Sequence, residues 1–396
     1  MPLHEHHHAA AKKSLHTSVD RVGADRPGAA TADLSGGEPD YLAWGDGADA
    51  TDDIYTLATL GPVELEYAAI RTGVGFVDAS QRGIVFVRGA DAVDLLDRLM
   101  TQKIKSLQPG DTAAAFLLDR KGRIQADVLC TGLDGGVLLD VDRRDVDTVL
   151  AAVEAMTFAE DVAISNGEDW YTLEAHGPGI GELFATWDIT LPDALQSKAG
   201  TVAGCEVRLT RWDTAGVPGV RMYLRRGDVV QVWESLHGSE CQTRRRTVGW
   251  LAFNMARVEA RMPWWHIDFG PTSLPHETGI LVDRVSFTKG CYPGQEVVAR
   301  MENLGHPKQI SRAIPMPDER LPIAGGQVFQ DEAGSPGNPI GMVTSSAPSP
   351  TRGHTTMALA VIKWAQATVG GTIRCVADGD LVSAGVEPVA TSKEPS

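Results

Sequence analysis

Val285-Ser286-Phe287-Thr288-Lys289-Gly290-Cys291-Tyr292-Pro293-Gly294-Gln295-Glu296 is the stretch on which the reading of this chain turns. Pro293 and Gly294 break what precedes them, and Val297, Val298, Met301 and Leu304 follow at helical spacing, so a helix is expected to start here. A thiol at Cys291 then faces unpaired backbone N–H groups and the positive end of the helix dipole, and both favour thiolate. Lys289, two residues away, is expected to add a second positive charge. On residue type alone, Cys291 reads first as a small buried residue in a tight turn, and it is the full motif that favours the reactive reading.

Upstream lie two further ordered motifs, Ala256-Arg257-Val258-Glu259-Ala260 and Leu274-Pro275-His276-Glu277. Together the three motifs resemble the YgfZ family, folate-binding accessory proteins of iron–sulfur biogenesis and tRNA modification related to the glycine-cleavage T-protein (aminomethyltransferase) superfamily. The wider similarity to the T-protein runs from Glu64 to Ile362 and includes Arg71-Thr72-Gly73-Val74-Gly75-Phe76-Val77-Asp78 and Val343-Thr344-Ser345-Ser346. The resemblance implies an α+β fold. It implies a three-lobed ring with two α+β lobes around a central folate cavity, the pterin deepest, and a small C-terminal antiparallel β-barrel. Tetrahydrofolate is the implied cofactor, without a metal. Cys291 and Asp127 are the implied chemical residues, and Asp127, Arg257, Glu259, Lys289 and Gln295 the implied folate contacts. Iron–sulfur proteins or their assembly factors are the implied partners. One departure stands out: alignment through Gly219-Val220-Arg221-Met222 puts Val217 where the T-protein has an acidic residue that reads the pterin.

Asp127 also draws notice from the pattern of its own strand. Along Arg123 to Cys130, Ile124, Ala126 and Val128 point one way and Arg123, Gln125, Asp127 and Leu129 the other, so a poor strand former faces solvent or a cavity. By resemblance it matches the T-protein's catalytic aspartate, and a carboxylate there can steady a developing cationic amine or relay a proton. Arg257 offers planar paired donors to a pterin or carboxylate edge. Read without a ligand, Arg257 and Glu259 form a structural ion pair.

Composition narrows the classes of function. With Lys plus Arg at 36, Asp plus Glu at 52 and a net charge of -16, the chain repels a nucleic-acid backbone, so direct nucleic-acid binding is not expected. The run Thr243-Arg244-Arg245-Arg246 reads as a solvated turn or an anion contact. The five cysteines contain no Cys-x-x-Cys pair, which argues against a metal or redox centre and fits a reducing cytoplasm. No apolar run approaches the roughly 20 residues of a membrane span. A cytoplasmic protein is expected.

Residues 1–53 are rich in Ala, Gly, Asp and His without periodicity and read as a disordered leader, with His4, His6, His7 and His8 an exposed tail. Two α+β lobes are expected over 54–305, a barrel over 306–388 where Pro, Gly and Ser break short strands, and a tail over 389–396. Strands followed by a helix recur (Ala114 to Met156, then Glu206 to Leu236), a hint of a duplicated unit. Gly177-Pro178-Gly179-Ile180-Gly181 lacks the third glycine of the dinucleotide fingerprint and reads as a strand-to-helix turn. Three functions compete at this point: an accessory factor for iron–sulfur cluster assembly or repair, a folate-dependent aminomethyl or methyl transferase in one-carbon metabolism, and a folate-responsive binding module without turnover.

Overall fold

The structure, a computed structural model, describes residues 39–44, 54–331 and 336–391. Most of the expected leader, its histidines included, and residues 392–396 of the expected tail lie outside the described residues. The chain divides into two compact units, one made of residues up to 84 with 167–254, the other of 85–166 with 255–396. The expected division into 54–305 and 306–388 therefore differs from the observed one, because each unit is assembled from discontinuous stretches of chain.

The first unit is built on a six-stranded sheet ordered Ser197–Val202, Cys205–Arg211, Gly219–Arg225, Trp170–His176, Val74–Asp78 and Arg245–Thr247. Inward residues of these strands (Val207, Leu209, Val220, Met222) bury against the helices Ile180–Ala185 and Val229–Gly238. The turn between Trp170–His176 and Ile180–Ala185 is the expected strand-to-helix turn. Arg245 is buried and donates to the Leu236 and Ser239 carbonyls, so the basic run is in part a structural edge strand and not a solvated turn.

Asp40–Ala43 forms a strand paired with Tyr55–Thr59, inside the stretch read as a disordered leader. The physical reason is the next residue: Trp44 is buried edge-on against Trp250, with ring centroids 4.7 Å apart. A large aromatic surface removed from water offsets the ordering of a short segment.

The second unit holds a five-stranded sheet ordered Thr112–Leu118, Ile124–Leu133, Gly136–Asp142, Arg82–Arg88 and Ala163–Asn166. Ala126, Val128 and Cys130 on one strand and Val137, Leu139 and Val141 on the next join an apolar cluster. Leu95, Leu96 and Leu99 of helix Ala92–Leu99 and Val149 and Val153 of helix Val146–Ala155 complete it. By alternation Asp127, Asp140 and Asp142 point to the opposite face. The same unit carries a second sheet, ordered Gln309–Pro315, Thr355–Lys363, Gly341–Ser349, Gln327–Gln330, Thr372–Ala377 and Asp380–Gly385. It is a curled antiparallel half-barrel: Ala313, on one edge, exchanges backbone hydrogen bonds of 3.0 and 2.8 Å with Glu387, just past the other.

The suspected duplication is visible in topology. Arg82–Arg88 leads to a helix, three hairpin-linked strands, a short 3₁₀ turn and a second helix; Trp170–His176 leads to the same series. In both sheets the leading strand hydrogen-bonds to the third of those hairpin strands. The fold is mixed α+β, as expected.

Candidate functional site

Asp127 and the loop that ends at Cys291 meet within the second unit. Asp127 lies in the strand Ile124–Leu133, opposite Phe116, and its side chain keeps 21% of its surface exposed. Arg284, at the end of the short helix Leu281–Arg284, donates from Nε to Oδ1 at 2.7 Å and from Nη2 to Oδ2 at 3.2 Å. This two-pronged pair fixes the orientation of the carboxylate.

Thr101 anchors the arginine. Its hydroxyl donates to the Arg284 carbonyl at 2.7 Å and accepts the Phe116 N–H at 2.8 Å, while its own carbonyl accepts the Ser286 N–H at 3.0 Å. A fully buried threonine thus ties the loop after Arg284 to the strand beside Asp127. Sequence reasoning missed Arg284 and Thr101. The available signal was an arginine set between Val282 and Val285, directly before the quoted motif.

Lys289 does not stand beside Cys291. Its side chain is almost wholly buried, and Nζ donates to the carbonyls of Asp97, Met100 and Gln102, with the Asp97 carboxylate 3.7 Å away. These carbonyls lie in and just beyond the last turn of helix Ala92–Leu99, so the ammonium caps a helix C-terminus. Burial pushes the Lys289 ammonium below its ordinary range, against the opposing pull of Asp97. The thiol that feels this charge is Cys130, which burial pushes up to about 12 while Lys289 draws it partway back. Tyr292 packs its ring 5.4 Å from Nζ, and burial pushes its hydroxyl up to about 12.

Cys291 is the exposed member of the five free cysteines; the other four are buried. The helix behind it runs Gln295–Leu304, capped by Gly294 at φ +77, so Cys291 precedes the first helical residue by a short turn instead of sitting at it. That turn exists for packing. A Cβ on Gly294 would lie 2.5 Å from the Asp119 carbonyl oxygen in the hairpin turn before Ile124–Leu133. Gln295 is half-buried in the first helical turn, and its side chain has no hydrogen bond among the described residues.

Arg257 and Glu259 are internal. Arg257 has no exposed side-chain surface; it donates to Asp268 Oδ2 at 2.6 Å, the Met262 carbonyl at 3.0 Å and Ser345 Oγ at 2.8 Å. Asp268 in turn accepts from Thr344 and Ser345, which explains the Val343-Thr344-Ser345-Ser346 motif as a clamp on the curled sheet. Glu259 Oε1 accepts from Ser349 Oγ and from both the amide and hydroxyl of Thr351. Arg257, Glu259 and Lys289 are thus engaged with groups of the protein itself, and the side chains of Arg257 and Lys289 are buried. In Leu274-Pro275-His276-Glu277, His276 meets Glu302 at 3.2 Å, and burial pushes its imidazole down. Among the described residues no group of three or more His, Cys, Asp or Glu could hold a metal ion.

The GCVT N-terminal domain matches residues 41–288. The chain belongs to this family. The match begins at Tyr41, in the strand that the leader was expected to lack. The GCVT-domain chain is 28% identical over 313 residues to an aminomethyltransferase of Streptomyces coelicolor, covering 77% of this chain and 82% of that protein. It is 26% identical over 317 residues to an aminomethyltransferase of Bacillus subtilis, covering 78% and 85%. Its fold matches the crystal structure of glycine cleavage system aminomethyltransferase T from Bartonella henselae with a TM-score of 0.77 at 21% identity, covering 88% and 93% of the two chains. These comparisons place the chain in the T-protein superfamily, the broader part of the resemblance read from the three motifs. No described helix is long and apolar enough to cross a membrane.

Proposed function

We propose that this chain is a tetrahydrofolate-dependent one-carbon transferase of the aminomethyltransferase kind. The observation that carries the reading is the Asp127–Arg284 pair: a carboxylate kept partly exposed and held in one orientation by a buried guanidinium. A fixed negative charge of this sort stabilises positive charge developing on an amine as it gains or loses a one-carbon unit. Family membership and relatives named aminomethyltransferases over most of their length support it. The residues fit a reduced folate in part. Asp127 suits its amine nitrogens and Gln295 has an uncommitted amide. Arg257, Glu259 and Lys289 are spent on the protein's own groups, and Val217 is a half-buried apolar residue. When bound, the folate supplies the nitrogens that accept the one-carbon group; the chain supplies orientation and charge.

The test is turnover of tetrahydrofolate with a lipoyl-linked aminomethyl donor, alongside calorimetric titration with tetrahydrofolate. Binding with turnover supports the transferase, binding without turnover supports a folate-responsive module, and neither removes the reading.

A second reading, an accessory factor for iron–sulfur proteins, is favoured by one observation: Cys291 is the one surface thiol among five, in a motif otherwise spent on packing. Altered iron–sulfur enzyme activity in a deletion strain, without loss of glycine cleavage, would support it. Full complementation by Cys291→Ser would remove it.

A further inference from the structure

We propose that His266 and Asp145 form a proton-accepting dyad in the second unit, with the imidazole Nδ1 as the atom that takes the proton; the proposal rests on the one-carbon transferase reading. His266 Nε2 lies 3.0 and 3.2 Å from the two carboxylate oxygens of Asp145. An ionised carboxylate only accepts, so Nε2 carries the hydrogen and the lone pair is left on Nδ1. The same aspartate accepts the Trp265 indole N–H at 2.5 Å. Asp145 and Trp265 are both buried, and the indole thereby fixes the carboxylate that fixes the imidazole. Nδ1 has no hydrogen-bond partner among the described residues. The His266 side chain keeps 16% of its surface exposed, so a small donor can reach the ring.

The backbone at this position does not ask for an imidazole. His266 sits at φ +64, where glycine is the unstrained residue, and its N–H is tied to the Phe269 carbonyl at 2.8 Å. Strain of this kind collects at functional positions. The turn would form with glycine; what histidine adds is a ring nitrogen opposite Asp145.

The dyad also lies at the right end of the sheet. The antiparallel register of Leu129 opposite Asp140 brings the end of Gly136–Asp142 alongside the start of Ile124–Leu133, where Asp127 sits. Asp142 and Asp127 share the face turned away from the helices, and Asp145 lies in the 3₁₀ turn that leaves that strand. Asp127 would steady charge while His266 moves a proton. In a transfer where an amine nitrogen attacks the one-carbon unit, the N–H bond breaks as the C–N bond forms. The proton passes to Nδ1, and the imidazolium, steadied by Asp145, returns it to the amine as the donor's C–N bond breaks; the C–S bond to the lipoyl sulfur breaks with the sulfur leaving as thiolate. Protons balance, and no oxidant or reductant enters.

Two readouts on the full chain test this. Ring ¹⁵N shifts of histidine-labelled protein should place the hydrogen on Nε2 of His266; a hydrogen on Nδ1 overturns the dyad whatever the activity. In steady-state transfer with tetrahydrofolate and an aminomethyl donor, His266→Gln should lower kcat by about 100-fold or more with little change in the folate KM. His266→Gly relieves the strained turn and guards against misfolding: it should be no less stable than the glutamine variant and equally slow. Wild-type turnover in the glycine variant overturns the proposal. Should the wild type itself transfer nothing, the transferase reading fails separately, and the ring tautomer alone decides the dyad.

Discussion

Arg284 meets Asp127 with both prongs of its guanidinium, Nε to Oδ1 at 2.7 Å and Nη2 to Oδ2 at 3.2 Å, across 157 residues of sequence. The arginine is buried and the aspartate partly exposed, so the carboxylate is held in one orientation from its buried side.

Removing the arginine is expected to cost more in turnover than in stability. Arg284→Gln should lower transfer by about 100-fold, because the carboxylate that must face the amine loses its fixed orientation. The loss of stability should be about 1–3 kcal/mol. A double-mutant cycle with Asp127→Asn should give a coupling of about 0.5–3 kcal/mol in urea unfolding. Independent effects of the two substitutions on both turnover and stability would separate Asp127 from Arg284.

Arg257 should behave in the opposite way. Its ion pair with Asp268 is fully buried, so Arg257→Ala leaves an uncompensated carboxylate and should destabilise by about 3–5 kcal/mol. The tetrahydrofolate affinity of the fraction that stays folded should be unchanged. Urea unfolding and calorimetry on the same samples check both halves; a selective loss of folate binding would return Arg257 to the ligand site.

Acid should weaken the first unit through Glu174. Burial alone pushes this carboxyl up, but the Arg221 guanidinium at 2.7 Å and His176 at 2.8 Å overcome burial and hold it at about 2. The folded value lies below the ordinary 4.5, so the unfolded state binds more protons between them. The stabilisation is therefore complete above about pH 4.5 and is lost as pH falls through the folded value, about 3 kcal/mol in all. Glu174→Gln should flatten the stability curve over that acid window, measured by urea midpoints against pH.

Iodoacetamide should label Cys291 well before any other cysteine. Cys291 is exposed, whereas burial holds the Cys130 thiol up at about 12 and the Cys375 thiol at about 11. Peptide mass spectrometry at graded times ranks them. Cys130 labelling as fast as Cys291 would mean that the core around it opens readily.

Gly294→Ala tests whether the motif is a packing device. At φ +77, with a Cβ 2.5 Å from the Asp119 carbonyl oxygen, alanine should cost about 2–4 kcal/mol. The loop Val285–Gly294 should lose hydrogen-exchange protection first. An alanine variant with wild-type stability would leave the glycine to a ligand.

What the sequence by itself determined is local. Alternation along Ile124–Leu133 put Asp127 on the face away from the helices, and strand and helix order suggested a repeat that the two sheets share, because side-chain period and hairpin turns are set by near neighbours. The motif around Cys291 led to the right superfamily, confirmed by the domain match over 41–288. Only the tertiary structure decided which polar groups in those motifs are spent. Arg257, Glu259 and Lys289 carry the residue types of a ligand site, yet each is engaged by a partner from a distant stretch of chain, Ser345, Thr351 and Asp97 respectively, that no spacing rule connects. Arg284 and His266 passed unnoticed for the same reason: a guanidinium or an imidazole acquires its role from the carboxylate that folding brings to it, and Asp127 and Asp145 lie more than a hundred residues away. Trp44 ordered a segment whose composition alone reads as disordered, because burial against Trp250 is a gain that only the folded chain supplies.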